Sequence, residues 1–346
     1  MKHAWLRPLD FGHGRIDMSH GAGGRATAQL LDELFLPAFD NEWLRQMNDQ
    51  ARFAPPAGRM VVTTDCHVVS PLFFPGGDIG CLAVHGTIND VAMAGARPLN
   101  LAAGFILEEG FPLADLRRIV VSMAAAARAA GVPVVTGDTK VVERGKGDGV
   151  YITTTGIGVV PAGIDISGDR ARPGDCVLVS GTIGDHGVAI MSSRENLSFG
   201  TTIRSDTAAL HELVAAMVAA APGLRCLRDP TRGGLATVLN EFARQSGAGF
   251  HIDEAAIPVR PEVGAACEFL GLDPLYVPNE GKLVAVCAPE DAAPLLAAMR
   301  AHPLGREAAR IGVVTDDPHR FVRMQTAFGG LRLVDTLTGE QLPRIC

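Results

Sequence analysis

Five aspartates stand where short strands end or helices begin. Asp65 closes Val61-Val-Thr-Thr-Asp65, Asp90 lies in Gly86-Thr-Ile-Asn-Asp90-Val-Ala, and Asp138 closes Val134-Val-Thr-Gly-Asp138 just before Thr139 and Lys140. Asp229 opens Asp229-Pro-Thr-Arg-Gly-Gly234, and Asp78 sits in Phe73-Phe-Pro-Gly-Gly-Asp78-Ile-Gly80. Carboxylates gathered at one place repel each other unless a cation joins them. Mg²⁺ suits that task, because it takes hard oxygen ligands and bridges to substrate phosphates. The neighbouring glycines let the backbone approach a ligand closely. Any one of these aspartates alone reads equally well as a turn former or helix cap, Asp229 before Pro-Thr above all. Several such segments in one chain favour the ligand reading.

Phosphate motifs are otherwise sparse. There is no G-x-x-x-x-G-K-[ST]. Gly21-Ala-Gly23-Gly24-Arg-Ala26 matches the dinucleotide fingerprint in form, but Arg15-Ile-Asp-Met-Ser-His20 before it is a poor strand. Ser19 to Gly24 therefore reads as a mobile glycine-rich loop entering a helix, able to close over phosphates, or as a plain flexible linker. The seven cysteines include no C-x-x-C pair, and their odd number argues against a zinc ribbon or a disulfide framework. Cys176 and Cys287 lie in apolar runs and read as inert core thiols. Cys346 differs in being the last residue of the sequence.

The elements that must position these residues alternate between strand and helix. Met60–Thr64, Val132–Thr136, Val150–Thr155 and Cys176–Ser180 are short, β-branched and bounded by Gly, Pro or Asp. Apolar residues at helical spacing mark three helix faces: Leu116, Ile119, Val120 and Met123; Leu210, Leu213, Val214, Met217 and Val218; Leu235, Val238, Leu239 and Phe242. Pro161 to Asp175, rich in Gly, Pro and charge, reads as a boundary. The expected organisation is an N-terminal domain over 1–160, an α+β domain over 161–314 and a C-terminal appendage with a mobile tail over 315–346. With 346 residues, 47% apolar and 20% charged, the chain has material for two cores. A net charge of −7 without a basic stripe speaks against nucleic acid. No segment reads as a signal peptide or membrane span, so a cytoplasmic protein is expected.

Taken in order, these segments resemble the hydrogenase-maturation carbamoyl dehydratases, the HypE family, within the superfamily of aminoimidazole ribonucleotide synthetase, selenophosphate synthetase and thiamine-monophosphate kinase. The matching stretches are Ser19–Gly24, Thr63–Asp65, Phe73–Gly80, Gly86–Ala92, Gly137–Val142, Ser180–Gly187, Asp229–Gly234, Pro278–Lys282 and Pro343–Cys346. The resemblance implies an α/β, PurM-like ATP-binding fold of two domains. It also implies a homodimer whose N-terminal sheets pair, an α+β C-terminal domain and an extended tail. It assigns Asp65, Asp90 and Asp229, with Asp138 as a possible fourth, to Mg²⁺. It assigns Asp78, Gly137, Thr139 and Lys140 to ATP, beside the loop glycines Gly21, Gly23 and Gly24.

The chemistry so implied is loss of water from a carbamoyl group on the Cys346 sulfur, giving a thiocyanate for the cyanide ligands of a [NiFe]-hydrogenase. The carbonyl oxygen leaves only once ATP phosphorylates it. Mg²⁺ and Lys140 would then stabilise the transferring phosphoryl group, and Glu280, or neutral Lys140, would take the amide proton. His186 is a weaker candidate in a glycine-rich turn. From Gly339 the tail spans roughly 25 Å when extended, enough to visit an internal site and then a partner. Expected partners are a HypF-type carbamoyltransferase and a HypC–HypD complex carrying iron. Selenophosphate synthetase is a rival, but it places its reactive residue near the N-terminal glycine-rich loop, whereas the first cysteine here is Cys66. A nucleotide-binding scaffold without chemistry is the other alternative.

Overall fold

The structure is a computed structural model and describes residues 5, 7–54, 56–195, 203–337, 339, 342 and 344–346. Its first half comprises α1 (Arg25–Leu30), α2 (Leu36–Phe39), β1 (Arg59–His67), a small hairpin of β2 (Phe73–Phe74) and β3 (Gly77–Asp78), α3 (Ile79–Met93), β4 (Arg97–Glu108), α4 (Leu113–Ala130), β5 (Val134–Val142) and β6 (Val150–Val160). The second half comprises β7 (Cys176–Val179), α5 (Asp185–Arg194), α6 (His211–Ala220), β8 (Cys226–Arg228), α7 (Gly234–Ser246), β9 (Gly249–Asp253) and α8 (Pro261–Leu270). It continues through β10 (Val284–Cys287), α9 (Ala292–Ala301), β11 (Ala309–Thr315), β12 (Val322–Gln325) and β13 (Leu331–Leu333).

The first sheet has the order β1-β6-β4-β5. Its pairings are antiparallel except for β4 with β5. Because side chains alternate along a strand, register assigns each residue a face. Asp65 lies in one row with Thr154, Ala103 and Gly137; Cys66 lies in the next with Thr153, Gly104 and Asp138. Thr154 is fully buried, so the Asp65 row faces the core formed with α3 and α4. The Asp138 row belongs to the opposite face, which no helix among the described residues covers; Met60, Val62 and Ile106 stand exposed on it. Helix α3 is apolar on nearly all sides and buried, as a helix packed from several directions must be.

The second sheet has the order β13-β12-β9-β11-β7-β10-β8. Strand β7 is buried throughout and sends Val177 and Val179 to the α7 side and Cys176 and Leu178 to the α6 and α9 side. That two-sided burial accounts for its unbroken apolar sequence. Residues after 314, read from sequence as an appendage, carry β12 and β13 and part of β11 into this same sheet. Two strands run further than their sequence signals. β1 continues past Asp65 to His67, and β5 continues through Gly137-Asp138-Thr139 to Val142 because β4 pairs with it along that whole length. Asp138 therefore sits inside an edge strand and does not close one.

The glycine-rich segment 19–24 is seated, not loose. Asp17 caps the short turn Met18–Gly21, His20 is buried, and the Gly23 amide donates to Thr27 Oγ1 at 3.0 Å. A Cβ on Gly21 would come within 2.6 Å of the Val141 nitrogen, so only glycine lets the turn lie on β5.

Candidate active site

Strand β1, helix α3 and the loops before α7 and β10 bring four acids together. Asp65 and His67 share the core-facing side of β1; Asp90 and Gly86 lie one turn apart on α3. Asp229 follows β8 and Glu280 precedes β10. A Cβ on Gly86 would stand 3.0 Å from His67 Nε2, 3.4 Å from Asp65 Oδ2 and 3.9 Å from Glu280 Oε2. The bare glycine thus leaves room for a polar group among three converging side chains. Thr63 Oγ1 donates to Asp90 at 2.9 Å. His67 Nε2 lies 3.3 Å from Asp65 Oδ2, near enough to pair with it but without hydrogen-bond alignment.

Electrostatics show what this cluster lacks. Burial, and next the charge of Asp90, push the Asp229 carboxyl up to about 7. Burial and then the charges of Asp229, Asp206, Asp65 and Asp90 raise Glu280 well above the usual carboxylate range. Burial and the charge of Asp65 also raise Asp90, although the Thr63 bond opposes them. Burial works the same way on Asp65, but His67, the Cys66 amide and Arg232 outweigh it and leave this carboxyl low. Asp229 Oδ2 and Glu280 Oε1 are buried with no hydrogen-bond partner. Buried, unpartnered, mutually repelling carboxylate oxygens are the donor set a hard divalent cation takes. Among the described residues no three such side chains yet stand as a formed coordination sphere.

The cluster is held from behind. Glu280 and Gly281 donate their backbone N–H groups to Asp206 at 3.0 and 3.2 Å, and Lys282 Nζ pairs with the same carboxylate at 3.1 Å. Asn89 donates to the carbonyls of Ala208 and Glu280 and accepts from the Leu210 amide, so beside Asp90 α3 is tied to the segment before α6 and to the loop before β10. None of His67, Asn89 and Asp206 stood out in sequence. His67 follows Asp65 at the strand period, which was the available signal.

Other expected residues fall elsewhere. Asp138 joins β5, across three strand spacings and on the opposite face of the sheet from Asp65, roughly 14 Å away. It pairs with Lys140 at 3.2 Å, and both are exposed. Within one chain, then, Asp138 does not share a cation with Asp65, and Lys140 does not meet Glu280. Asp78 Oδ1 caps α3, accepting from the Gly80 and Cys81 amides at 2.8 and 3.2 Å. Gly137 and Thr139 line a mostly apolar cavity of about 150 Å³ with Thr27, Leu31, Phe35 and Phe105.

The end of the chain docks on the segment that follows β1. The Val68 amide, one residue past His67, donates to the Cys346 backbone oxygen at 2.8 Å, and Val69 and Ile345 form an antiparallel bridge. Leu342 and Ile345 are buried in the first-sheet core, and Cys346 packs against it. Residues 344–346, the end of the tail expected to be mobile, are docked here. His186, the weak candidate, contacts it: its Nε2 lies 2.7 Å from the Ile345 carbonyl.

Fold and site define an AIR synthase related protein. The N-terminal domain model of that family matches residues 47–160 and its C-terminal domain model residues 172–325. The chain belongs to the carbamoyl dehydratase HypE family. It is 74% identical to the carbamoyl dehydratase HypE of Cupriavidus necator, over 100% of this chain and 99% of that protein. It is similar to a crystal structure of the hydrogenase maturation protein HypE in complex with ATP, with a TM-score of 0.92 and 52% identity over 95% of this chain and 99% of the other. A HypE chain crystallised in a HypE–HypF complex gives a TM-score of 0.79 and 50% identity over 89% of this chain and 99% of the other. No helix among the described residues is long and apolar enough to cross a membrane.

Proposed function

We propose that this chain consumes ATP to dehydrate a carbamoyl group on Cys346 Sγ, turning S–C(=O)–NH₂ into S–C≡N for the cyanide ligands of a [NiFe]-hydrogenase. The observation that carries this reading is the docking of residues 344–346 onto the stretch that follows β1, one residue past His67, on the strand that carries Asp65. In the balanced reaction the γ-phosphoryl group passes to the carbamoyl oxygen, the nitrogen gives up its protons, and the oxygen departs in phosphate. Glu280, whose Oε1 is buried with no hydrogen-bond partner, takes a proton from that nitrogen in its ionised form. Asp206 and Asn89 hold Glu280 in place through its backbone. Mg²⁺, held by Asp65, Asp90 and Asp229, would supply charge neutralisation for the phosphates.

Gly137 and Thr139, at the apolar cavity beside the 19–24 turn, are the natural nucleotide contacts, and the HypE in complex with ATP supports that nucleotide here. Asp138 also borders this cavity, whereas Lys140, outside it on the open sheet face, reaches phosphate if that face meets a second copy, which is the homodimer we propose. The partners in this reading are a HypF-type carbamoyltransferase, in line with the HypE–HypF complex, and a HypC–HypD complex that accepts the cyanide, all in the cytoplasm.

Intact-protein mass spectrometry tests the reading. Carbamoyl-loaded protein given Mg-ATP should lose the mass of one water per chain. Cys346→Ala should acquire no carbamoyl group yet bind ATP and melt within about 1 kcal/mol of the parent, since its side chain is only half-buried. A variant that still loads and dehydrates would move the carrier to another cysteine; ATP binding without any loss of water would leave only a scaffold.

A further inference from the structure

The docked tail raises a hydrogen-bonding question that one side chain answers. Val68 N donates to the Cys346 carbonyl, and Ser70 N donates to the Arg344 carbonyl at 3.1 Å. These bonds flank Ile345, so its own carbonyl points away from the strand it pairs with, into a site where the residue is only 3% exposed. A buried carbonyl needs a donor. His186 provides one at 2.7 Å, and its other nitrogen, Nδ1, lies 2.7 Å from Ser205 Oγ. A carbonyl can only accept, so Nε2 carries the hydrogen and Nδ1 accepts from the Ser205 hydroxyl.

The ring is fixed on every side. Ser205 Oγ accepts from the Thr207 amide at 3.1 Å, and the Ser205 amide donates to the Pro75 carbonyl at 2.8 Å. Phe74 meets the ring edge-on, with centroids 5.6 Å apart. His186 itself is wholly buried as the second residue of α5. Gly184, just before that helix, donates its amide to Asn279 Oδ1 at 2.8 Å, and Asn279 directly precedes Glu280. One rigid path thus joins the Ile345 carbonyl, the imidazole, the start of α5 and the loop that carries Glu280.

We propose that His186 is the positioning residue that seats the tail: its Nε2–H, kept in that tautomer by Ser205, holds the Ile345 carbonyl and so sets Cys346 for dehydration. This rests on the reading of Cys346 as carrier. The thiol must also meet the enzyme that loads it, and in this reading a half-buried Cys346 does so once the tail is released. The bond from His186 therefore sets the balance between docked and released tail, and weakening it drives two observables in opposite directions. Further side-chain holds lie at the rim: Arg194 donates to the Arg344 and Ser70 carbonyls, and Arg344 pairs with Asp148. Neither satisfies Ile345.

The experiment uses full-length His186→Ala, His186→Gln and Ser205→Ala. Glutamine keeps an amide N–H near the Nε2 position. For each variant, the rate of iodoacetamide labelling at Cys346 is followed by peptide mass spectrometry, and single-turnover dehydration of carbamoyl-loaded protein by intact mass. His186→Ala should label at Cys346 about tenfold faster and dehydrate about tenfold more slowly, the worth of one buried hydrogen bond. His186→Gln should restore both rates towards the parent, and Ser205→Ala should lie between. Unchanged labelling in His186→Ala, or slow dehydration with unchanged labelling, overturns the proposal. Should His186→Ala not fold, Ser205→Ala decides: the same opposed changes support the latch, and parental labelling overturns it. If the parent protein itself loses no water with ATP, the carrier reading fails, while the labelling rates still judge whether His186 seats the tail.

Discussion

Asp229 shows how a single residue can hold the chemistry of a site in suspense. Its carboxyl is buried, one oxygen has no partner, and its pKa is pushed up to about 7 from the 3.8 of an open chain, first by burial and then by Asp90. A carboxyl raised on folding favours the folded state while it is protonated. Its contribution is fully present below pH 4 and is lost as pH rises through about 7. The cation-free protein should therefore melt at a higher temperature near pH 5.5 than near pH 8 on account of this group. Asp229→Asn should remove much of that difference and stabilise the cation-free protein at pH 8 by something on the order of a few kcal/mol. It should also abolish the rise in melting temperature that Mg-ATP gives the parent. Scanning calorimetry at both pH values, with and without Mg-ATP, checks this; an asparagine variant that still gains stability from Mg-ATP would release Asp229 from the metal site. At this scale the sequence was partly legible. The aspartates announce themselves beside glycines, but whether a side chain meets its fellows depends on sheet face, and Asp138 and Asp65 differ in face although both sit in strands with similar signals. His186 was obscure for another reason: its role depends on a backbone carbonyl 159 residues away, and no local spacing encodes that.

At the scale of elements, α3 is the piece on which the site turns. It is capped by Asp78, buried along most of its length, and presents Gly86 and Asp90 one turn apart towards β1. Its apolar sequence marks a buried segment, and the strands and the three helix faces read from periodicity all appear as such elements. Strand lengths were less legible, because β1 and β5 are prolonged by partners that lie elsewhere in the chain. Glycine in the middle of a helix usually costs stability relative to alanine. Here the added methyl of Gly86→Ala would stand 3.0 Å from His67 Nε2, 3.4 Å from Asp65 Oδ2 and 3.9 Å from Glu280 Oε2, tight against the imidazole and inside the space the acids share. The backbone gain of roughly 0.5–1 kcal/mol should offset the crowding, so the variant should melt near the parent while its Mg-ATP affinity falls by about tenfold or more. Titration calorimetry and a melting curve on the same sample separate the two effects. Parental affinity would show that the gap beside Gly86 is not where the nucleotide's cation sits.

For the whole molecule, the unanswered face of the first sheet matters most. One side of it is packed by α3 and α4; the other carries Met60, Val62 and Ile106 in the open, with Val62 71% exposed. Apolar side chains gathered on one bare sheet face are the usual mark of a contact surface, and the same face bears Asp138 and Lys140. Two requirements therefore converge there: apolar area that favours burial, and polar residues expected at the nucleotide but remote from the acids of their own chain. Pairing of two such faces would meet both at once. Val62→Glu places a charge in the middle of that surface while leaving the core side of β1 untouched. It should convert the proposed dimer to a monomer in sedimentation velocity, keep the monomer's melting temperature close to that of the parent at equal dilution, and weaken ATP binding by at least tenfold. Lys140→Ala in the intact dimer should weaken turnover without changing the assembly, which distinguishes loss of the lysine from loss of the partner. A Val62→Glu protein that still sediments as the parent does and binds ATP equally well would show that the open face is not the interface, and Lys140 would then have to be withdrawn from the nucleotide site altogether.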